Sequence, residues 1–201
     1  DLCASRGLGD VYKRQVLGYK QDIPWTNEEV QSLYDANINE IRIDEVGSII
    51  DELDKNEDLS YTIYQSSENN KVTGYAIPIA GKGLWGTMYG YFAIEPDAET
   101  VKGITFYKHK ETPGLGAEVD KDWFKNNFVG KKLTNKNGEL VSIEVIKGYV
   151  SDTDPDAPHK VDGISGATIT GTGLTTFLKS DLQKYEPYFA KVRSVNQIES
   201  L

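Results

Sequence analysis

The stretch Asp162-Gly163-Ile164-Ser165-Gly166-Ala167-Thr168-Ile169-Thr170-Gly171-Thr172-Gly173-Leu174 crowds glycines and hydroxyls into one short loop. Glycine lets a backbone turn tightly and lets a ligand approach it closely. Ser165, Thr168, Thr170 and Thr172 add hydroxyl donors. A helix is expected from near Thr172, and its free N–H groups and positive end would face this loop. Such a place suits a phosphate. The same residues serve equally well as a Gly/Thr turn that caps a helix.

Two further stretches could carry chemistry. Gly81-Lys82-Gly83-Leu84-Trp85-Gly86-Thr87-Met88-Tyr89-Gly90-Tyr91-Phe92-Ala93-Ile94 reads, taken alone, as a glycine turn feeding an aromatic core strand. In His109-Lys110-Glu111-Thr112-Pro113-Gly114-Leu115-Gly116-Ala117-Glu118, Pro113-Gly114 fits a type II turn. Glu111 and Thr112 place an acceptor and a hydroxyl beside it. His109 and His159 are the two histidines of the chain, too few for a histidine metal cluster. Asp51, Glu52, Asp54, Glu57 and Asp58 lack the Asp-x-Asp-x-Asp-Gly spacing of a calcium loop and read as a solvated acidic face.

The elements around these stretches follow from periodicity. A helix is expected after Pro24, with Thr26 or Asn27 as cap and Val30, Leu33, Tyr34 and Ile38 on one face. Ile41-Arg42-Ile43-Asp44 reads as a short strand. Strands are then expected at Tyr61–Tyr64, Lys71–Ala80, Trp85–Ile94, Gly103–Lys108 and Val141–Ile146, with Pro78 marking an edge or a bulge. Asp120–Phe124 reads as a short helix with Asp caps, and Asn137-Gly138 as a turn. A last helix is expected over Thr172–Lys184, with Leu174, Phe177, Leu178 and Leu182 on one face and a fraying tail from Tyr185. Strands in the middle and helices at both chain ends give an α+β fold: a single domain, mainly antiparallel, over residues 16–201.

The chain has 201 residues, 38% of them hydrophobic and 26% charged, with a net charge of −9. These values fit a globular domain, and without a basic cluster nucleic-acid binding is not expected. No apolar run approaches the ~20 residues that cross a membrane. Residues 1–15, Asp1 to Gln15, resemble a translated sequencing-adapter read and are set aside from fold reasoning. They hold the single cysteine, Cys3; the remainder can form no disulfide, Cys-ligated zinc site or cysteine nucleophile. That is compatible with an extracytoplasmic domain.

Asp162-Gly163-Ile164-Ser165-Gly166-Ala167-Thr168 resembles the flavinylation motif of FMN-binding domains that hold FMN on a threonine through a phosphoester bond. Gly83-Leu84-Trp85-Gly86-Thr87-Met88-Tyr89-Gly90 and Glu111-Thr112-Pro113-Gly114-Leu115-Gly116 precede it in the same order. Together they make the chain similar, from about Thr26 to Phe189, to the C-subunit family of the sodium-translocating NADH:quinone reductases. The G subunits of the Rnf electron-transport complex share the flavinylation motif, but Leu84–Tyr89 favours the C subunits. The resemblance implies covalent FMN on Thr168, installed by a dedicated flavin transferase. Asp162 would belong to the recognition signal, with Ser165, Gly166 and Ala167 giving the phosphate room. It also implies Trp85, Glu111, Thr112, Leu115 and Lys147 as flavin neighbours. Trp85 would lie against the ring, and Lys147 would offer a cation to a reduced, anionic flavin, a solvated lysine being the plain alternative. Thr168 is then an attachment site; no catalytic side chain and no metal are implied. The implied function is an electron-transfer subunit, relaying electrons from NADH towards quinone within a sodium-translocating complex of the bacterial inner membrane. Its partners would be the other subunits. The domain would sit on the periplasmic side, inactive alone, behind an N-terminal membrane helix that this sequence lacks. A non-redox module holding a phosphate or flavin ligand, and a structural subunit with a vestigial site, remain as alternatives.

Overall fold

The computed structural model describes residues 11–13, 15–18, 37–50 and 60–199. Five strands form one antiparallel sheet whose spatial order follows the chain. They are β1 (Ile38–Ile43), β2 (Tyr61–Glu68), β3 (Lys71–Lys82), β4 (Thr87–Ile94) and β5 (Val101–Lys108). Short α1 (Asp122–Asn126) follows, then a two-stranded parallel ribbon of β6 (Glu144–Val145) and β7 (Lys160–Val161), and finally the long α2 (Thr168–Glu199). The α+β class and the antiparallel sheet are as expected. The helix expected after Pro24 and the acidic stretch Asp51–Asp58 lie outside the described residues, except that Ile38 opens β1 rather than closing a helix.

Alternation along the central strands sorts side chains to two buried faces. Tyr75, Ile77 and Ile79 of β3 and Phe92 and Ile94 of β4 join the main core under α2. Ala76, Tyr91 and Ala93 point the other way, against Val16, Leu17 and Ile38. From α2, the expected Leu174, Phe177, Leu178 and Leu182 are buried in the main core, but so are Tyr185, Tyr188 and Phe189. The tail therefore does not fray at Tyr185: α2 runs on to Glu199 through Pro187, which removes one ladder donor. Edge-to-face packing of Tyr75 on Phe189 at 5.5 Å is part of what keeps it there.

At its other end α2 begins at Thr168, four residues before the expected start. Thr172 Oγ1 donates back to the Thr168 carbonyl at 3.0 Å, so Thr172 sits one turn inside the helix instead of capping it. The strand expected over Val141–Ile146 shrinks to Glu144–Val145. Both Val141 and Ser142 N–H groups donate to the Leu133 carbonyl, and Ser142 sits at φ +69, which breaks the strand. The strand expected from Trp85 starts at Thr87, because Gly83 N–H donates to the Gly86 carbonyl at 2.8 Å and closes a loop first. α1 has Lys121, not an aspartate, at its N-cap.

Pro78 lies in the sheet's middle strand, yet its position is edge-like. The β2 register with β3 ends at Tyr64 opposite Ala76, so from there on β3 pairs with β4 alone. The open side is covered by α2: buried Asp181 accepts the Ala80 N–H at 2.8 Å. Among the described residues, no helix is long and apolar enough to cross a membrane.

Candidate functional site

The glycine-rich loop reaches α2 through a tight turn. Gly166 takes φ +75, and the Ala167 N–H donates to the Ile164 carbonyl at 3.0 Å. Ala167 is buried, so its neighbours Ser165, Gly166 and Thr168 are left at the surface. Thr168 is the first residue of α2 and is exposed; the first-turn N–H groups around it have no carbonyl one turn earlier in the helix. Beside this turn lies a cleft of about 450 Å³, walled by residues 144–149 on one side and by residues 163–168, 171 and 172 on the other. That volume falls in the ~300–1,000 Å³ range of ligand clefts.

Backbone pairing holds the two walls together. Ile146 N–H donates to the Val161 carbonyl, and Gly163 N–H to the Gly148 carbonyl at 2.8 Å. A Cβ on Gly163 would overlap the Ile146 carbonyl, so this glycine serves the wall contact. Asp162 Oδ1 accepts the Val150 N–H at 2.7 Å, which anchors the end of the opposite wall. Lys147 is exposed and lines the cleft, and so does Tyr149, which is 86% exposed. Periodicity gave Tyr149 no role; its position follows only from the pairing of β6 with β7.

The other two stretches meet this loop from the side. Trp85 is 64% exposed and Leu115 42%; Leu84 and Ile169 are exposed as well. Large apolar side chains left open at the surface suit a flat apolar ligand. Leu115 lies against the turn at Gly166: a Cβ on Gly166 would come within 2.8 Å of Leu115 Cδ2. The Pro113-Gly114 turn forms with Gly114 at φ +74, and the Thr112 carbonyl accepts both the Leu115 and Ala117 N–H groups at 3.1 Å. Thr112 itself is exposed and is not among the residues lining the cleft.

Glu111 is placed differently from the others. It is 5% exposed, and both carboxylate oxygens are taken. Oε1 accepts the Trp85 N–H at 3.0 Å, and Oε2 accepts the Thr170 hydroxyl at 2.5 Å. Its own N–H donates to His109 Nδ1 at 3.1 Å. That nitrogen is therefore the unprotonated one, and Nε2–H donates to Asp120 at 2.7 Å. The sequence shows Thr170 only as one of the loop hydroxyls and His109 only as an isolated histidine; their place around Glu111, between Gly83 and Gly116, comes from the tertiary structure.

Residues 83–183, which span Gly83–Gly90, Glu111–Gly116 and Asp162–Thr168, match the family model of the FMN-binding domain. The chain belongs to the FMN-binding domain family. This FMN-binding domain is 40% identical over 134 residues to the C subunit of the Na(+)-translocating NADH-quinone reductase of Pseudomonas aeruginosa, an overlap of 66% of this chain and 51% of that protein. With the corresponding C subunit of Chlamydia muridarum it shares 44% identity over 132 residues, 59% of this chain and 42% of that protein. The chain thus spans about half the length of the curated relatives it matches. Among solved structures, the C subunit of the Na(+)-translocating NADH-quinone reductase of Parabacteroides distasonis superposes with a TM-score of 0.74 at 30% identity, covering 92% of this chain and 95% of that one. NqrC of Shewanella oneidensis gives 0.79 at 22% identity over 94% and 99%, a likeness of fold.

Proposed function

We propose that this domain is the FMN-carrying electron-transfer part of the C subunit of a sodium-translocating NADH:quinone reductase, with FMN ester-linked to Thr168 Oγ1. The carrying observation is the setting of Thr168: an exposed hydroxyl on the first residue of a long helix, at the wall of a ligand-sized cleft. The first-turn amides and the positive end of α2 favour the phosphodiester by about 0.3–1 kcal/mol. Buried Ala167 and the left-handed Gly166 hold the Thr168 side chain outwards, within reach of a transferase. Asp162 contributes by fixing the far wall through Val150 rather than by offering a free carboxylate. Exposed Trp85 and Leu115 supply apolar surface for the ring, and Lys147 supplies a cation on the cleft wall. FMN, when attached, supplies the redox chemistry. The protein's part is to tether, orient and partly desolvate it.

The name of the relatives carries the rest of the reading. The electron donor and acceptor, the other subunits, the maturing transferase, an anchor in the bacterial inner membrane and a periplasmic location belong to that whole complex, so the domain alone is not expected to reduce quinone. Residues 1–15 are read as adapter-derived, with the FMN domain over residues 16–201. Co-expression with a flavin transferase tests the linkage. The intact mass should rise by one FMN less one water, and the denatured band should fluoresce under ultraviolet light. Thr168→Ala should fold and lose both signals. Fluorescence that survives in Thr168→Ala, or that disappears only in Ser165→Ala, would move the attachment site.

A further inference from the structure

Glu111 stands inside the site, but it is buried and each of its oxygens already holds a donor from the protein. A Cβ on Gly83 would come within 2.6 Å of its Oε1, and a Cβ on Gly116 within 2.5 Å of its Oε2. The two glycines that look like room for a ligand are room for this carboxylate. Its partners come from both other stretches: the Trp85 amide from the β3–β4 loop, and the Thr170 hydroxyl from the first turn of α2, two residues after Thr168. Thr170 is fully buried, so its hydroxyl has no water to exchange with. His109, itself held by Asp120, receives the Glu111 N–H and fixes the backbone from which the carboxylate reaches.

We infer that Glu111 is a positioning residue and not a flavin contact: its carboxylate staples the loop bearing Trp85 to the helix turn bearing Thr168, setting the ring-facing surface against the attachment point. The inference deepens the reading of Thr168 as the flavin site and rests on it. The gain is entropic. The Leu84–Trp85 loop exposes its side chains and has little packing of its own, so it is a segment of low local stability. One buried acceptor shared between it and a rigid helix turn restricts the loop to one placement before any ligand arrives.

The test uses the full chain, with and without transferase co-expression, as wild type, Glu111→Ala, Glu111→Gln and Thr170→Val. Two quantities are read. Hydrogen exchange at the Trp85 amide reports the staple. Flavin emission of the folded domain, divided by its emission after denaturation, reports how closely Trp85 holds the ring. In Glu111→Ala, Trp85 exchange should quicken by about tenfold, the loss of one hydrogen bond, and folded-state flavin emission should rise several-fold. Glu111→Gln should recover most of both, because its amide can accept from Trp85 and donate to Thr170 once that hydroxyl reverses. If Glu111→Ala fails to fold, Thr170→Val decides. It removes only the bond to Oε2 and should move both readouts in the same direction. Faster exchange with unchanged emission overturns the inference, since the staple would then not position the ring. Changed emission with unchanged exchange overturns it too, by making Glu111 a direct flavin contact. If the wild type takes up no flavin, the reading of Thr168 fails, while Trp85 exchange in the unlabelled chain still decides whether the staple exists.

Discussion

At the scale of single residues, most glycines of the three stretches make room for protein. Gly173 shows this most sharply. It sits in the second turn of α2, where alanine would ordinarily be better by about 1 kcal/mol. A Cβ there would overlap the carbonyl of Lys82, a backbone atom that cannot rotate away. Overpacking costs about 1–3 kcal/mol and outweighs the helix preference. Gly173→Ala should therefore lower the urea midpoint of the domain, and an unchanged or raised midpoint would contradict the close approach of α2 to the end of β3. Gly86 is the contrast. A Cβ there would meet only the Lys110 side chain, nearest at 3.5 Å, so its neighbourhood is open enough for a ligand.

At the scale of elements, the connections are held by side chains that replace missing backbone partners. The β4–β5 turn depends on Asp97. Its Oδ1 accepts the Glu99 and Thr100 N–H groups at 2.9 and 2.8 Å, its Oδ2 accepts the Thr100 hydroxyl, and Lys132 lies nearby. Partial burial works to raise the pKa of this carboxyl, but the hydrogen bonds from Thr100 and Glu99 and the charge of Lys132 outweigh it and hold it below the usual aspartate value. A depressed folded-state pKa gives stability that is fully present above the unfolded value of about 3.9 and is lost as pH falls through the folded one. Asp97→Asn should thus be less stable than wild type at pH 7, and the gap between their urea midpoints should shrink as pH drops below about 4. A gap that stays constant would remove the carboxylate's charge from the account of this turn.

At the scale of the whole molecule, α2 is the axis. Its 32 residues span about 48 Å at 1.5 Å per residue. One end carries Thr168; the other is tied to the β4–β5 turn by Arg193 donating to the Ala98 carbonyl and Asn196 to that of Pro96. Phe189, deep under the sheet far along this helix, is 2% exposed. Phe189→Ala should cost about 3–5 kcal/mol by urea unfolding, while Thr168 in the fraction that stays folded should still be flavinylated. Loss of labelling in the folded fraction would mean that the far end of α2 also sets the site.

Local sequence was enough for whatever depends on neighbours along the chain. Alternating apolar residues marked β2 to β5, and residue types marked the turns at Pro113-Gly114 and Asn137-Gly138, where both glycines take positive φ. The ends of elements were decided by partners distant in sequence. Helix α2 starts four residues early because the turn at Gly166 feeds straight into it, and continues past Tyr185 because Tyr188 and Phe189 find a sheet to cover. The strand before Ile146 fails because one carbonyl of Leu133 takes two of its N–H groups. Glu111 marks the same limit inside the site. Its sequence context shows an acceptor beside a turn; only tertiary structure brings Trp85 from 26 residues upstream and Thr170 from 59 downstream to its two oxygens. A residue type fixes what bonds can be made, and the packing of the whole chain decides with whom.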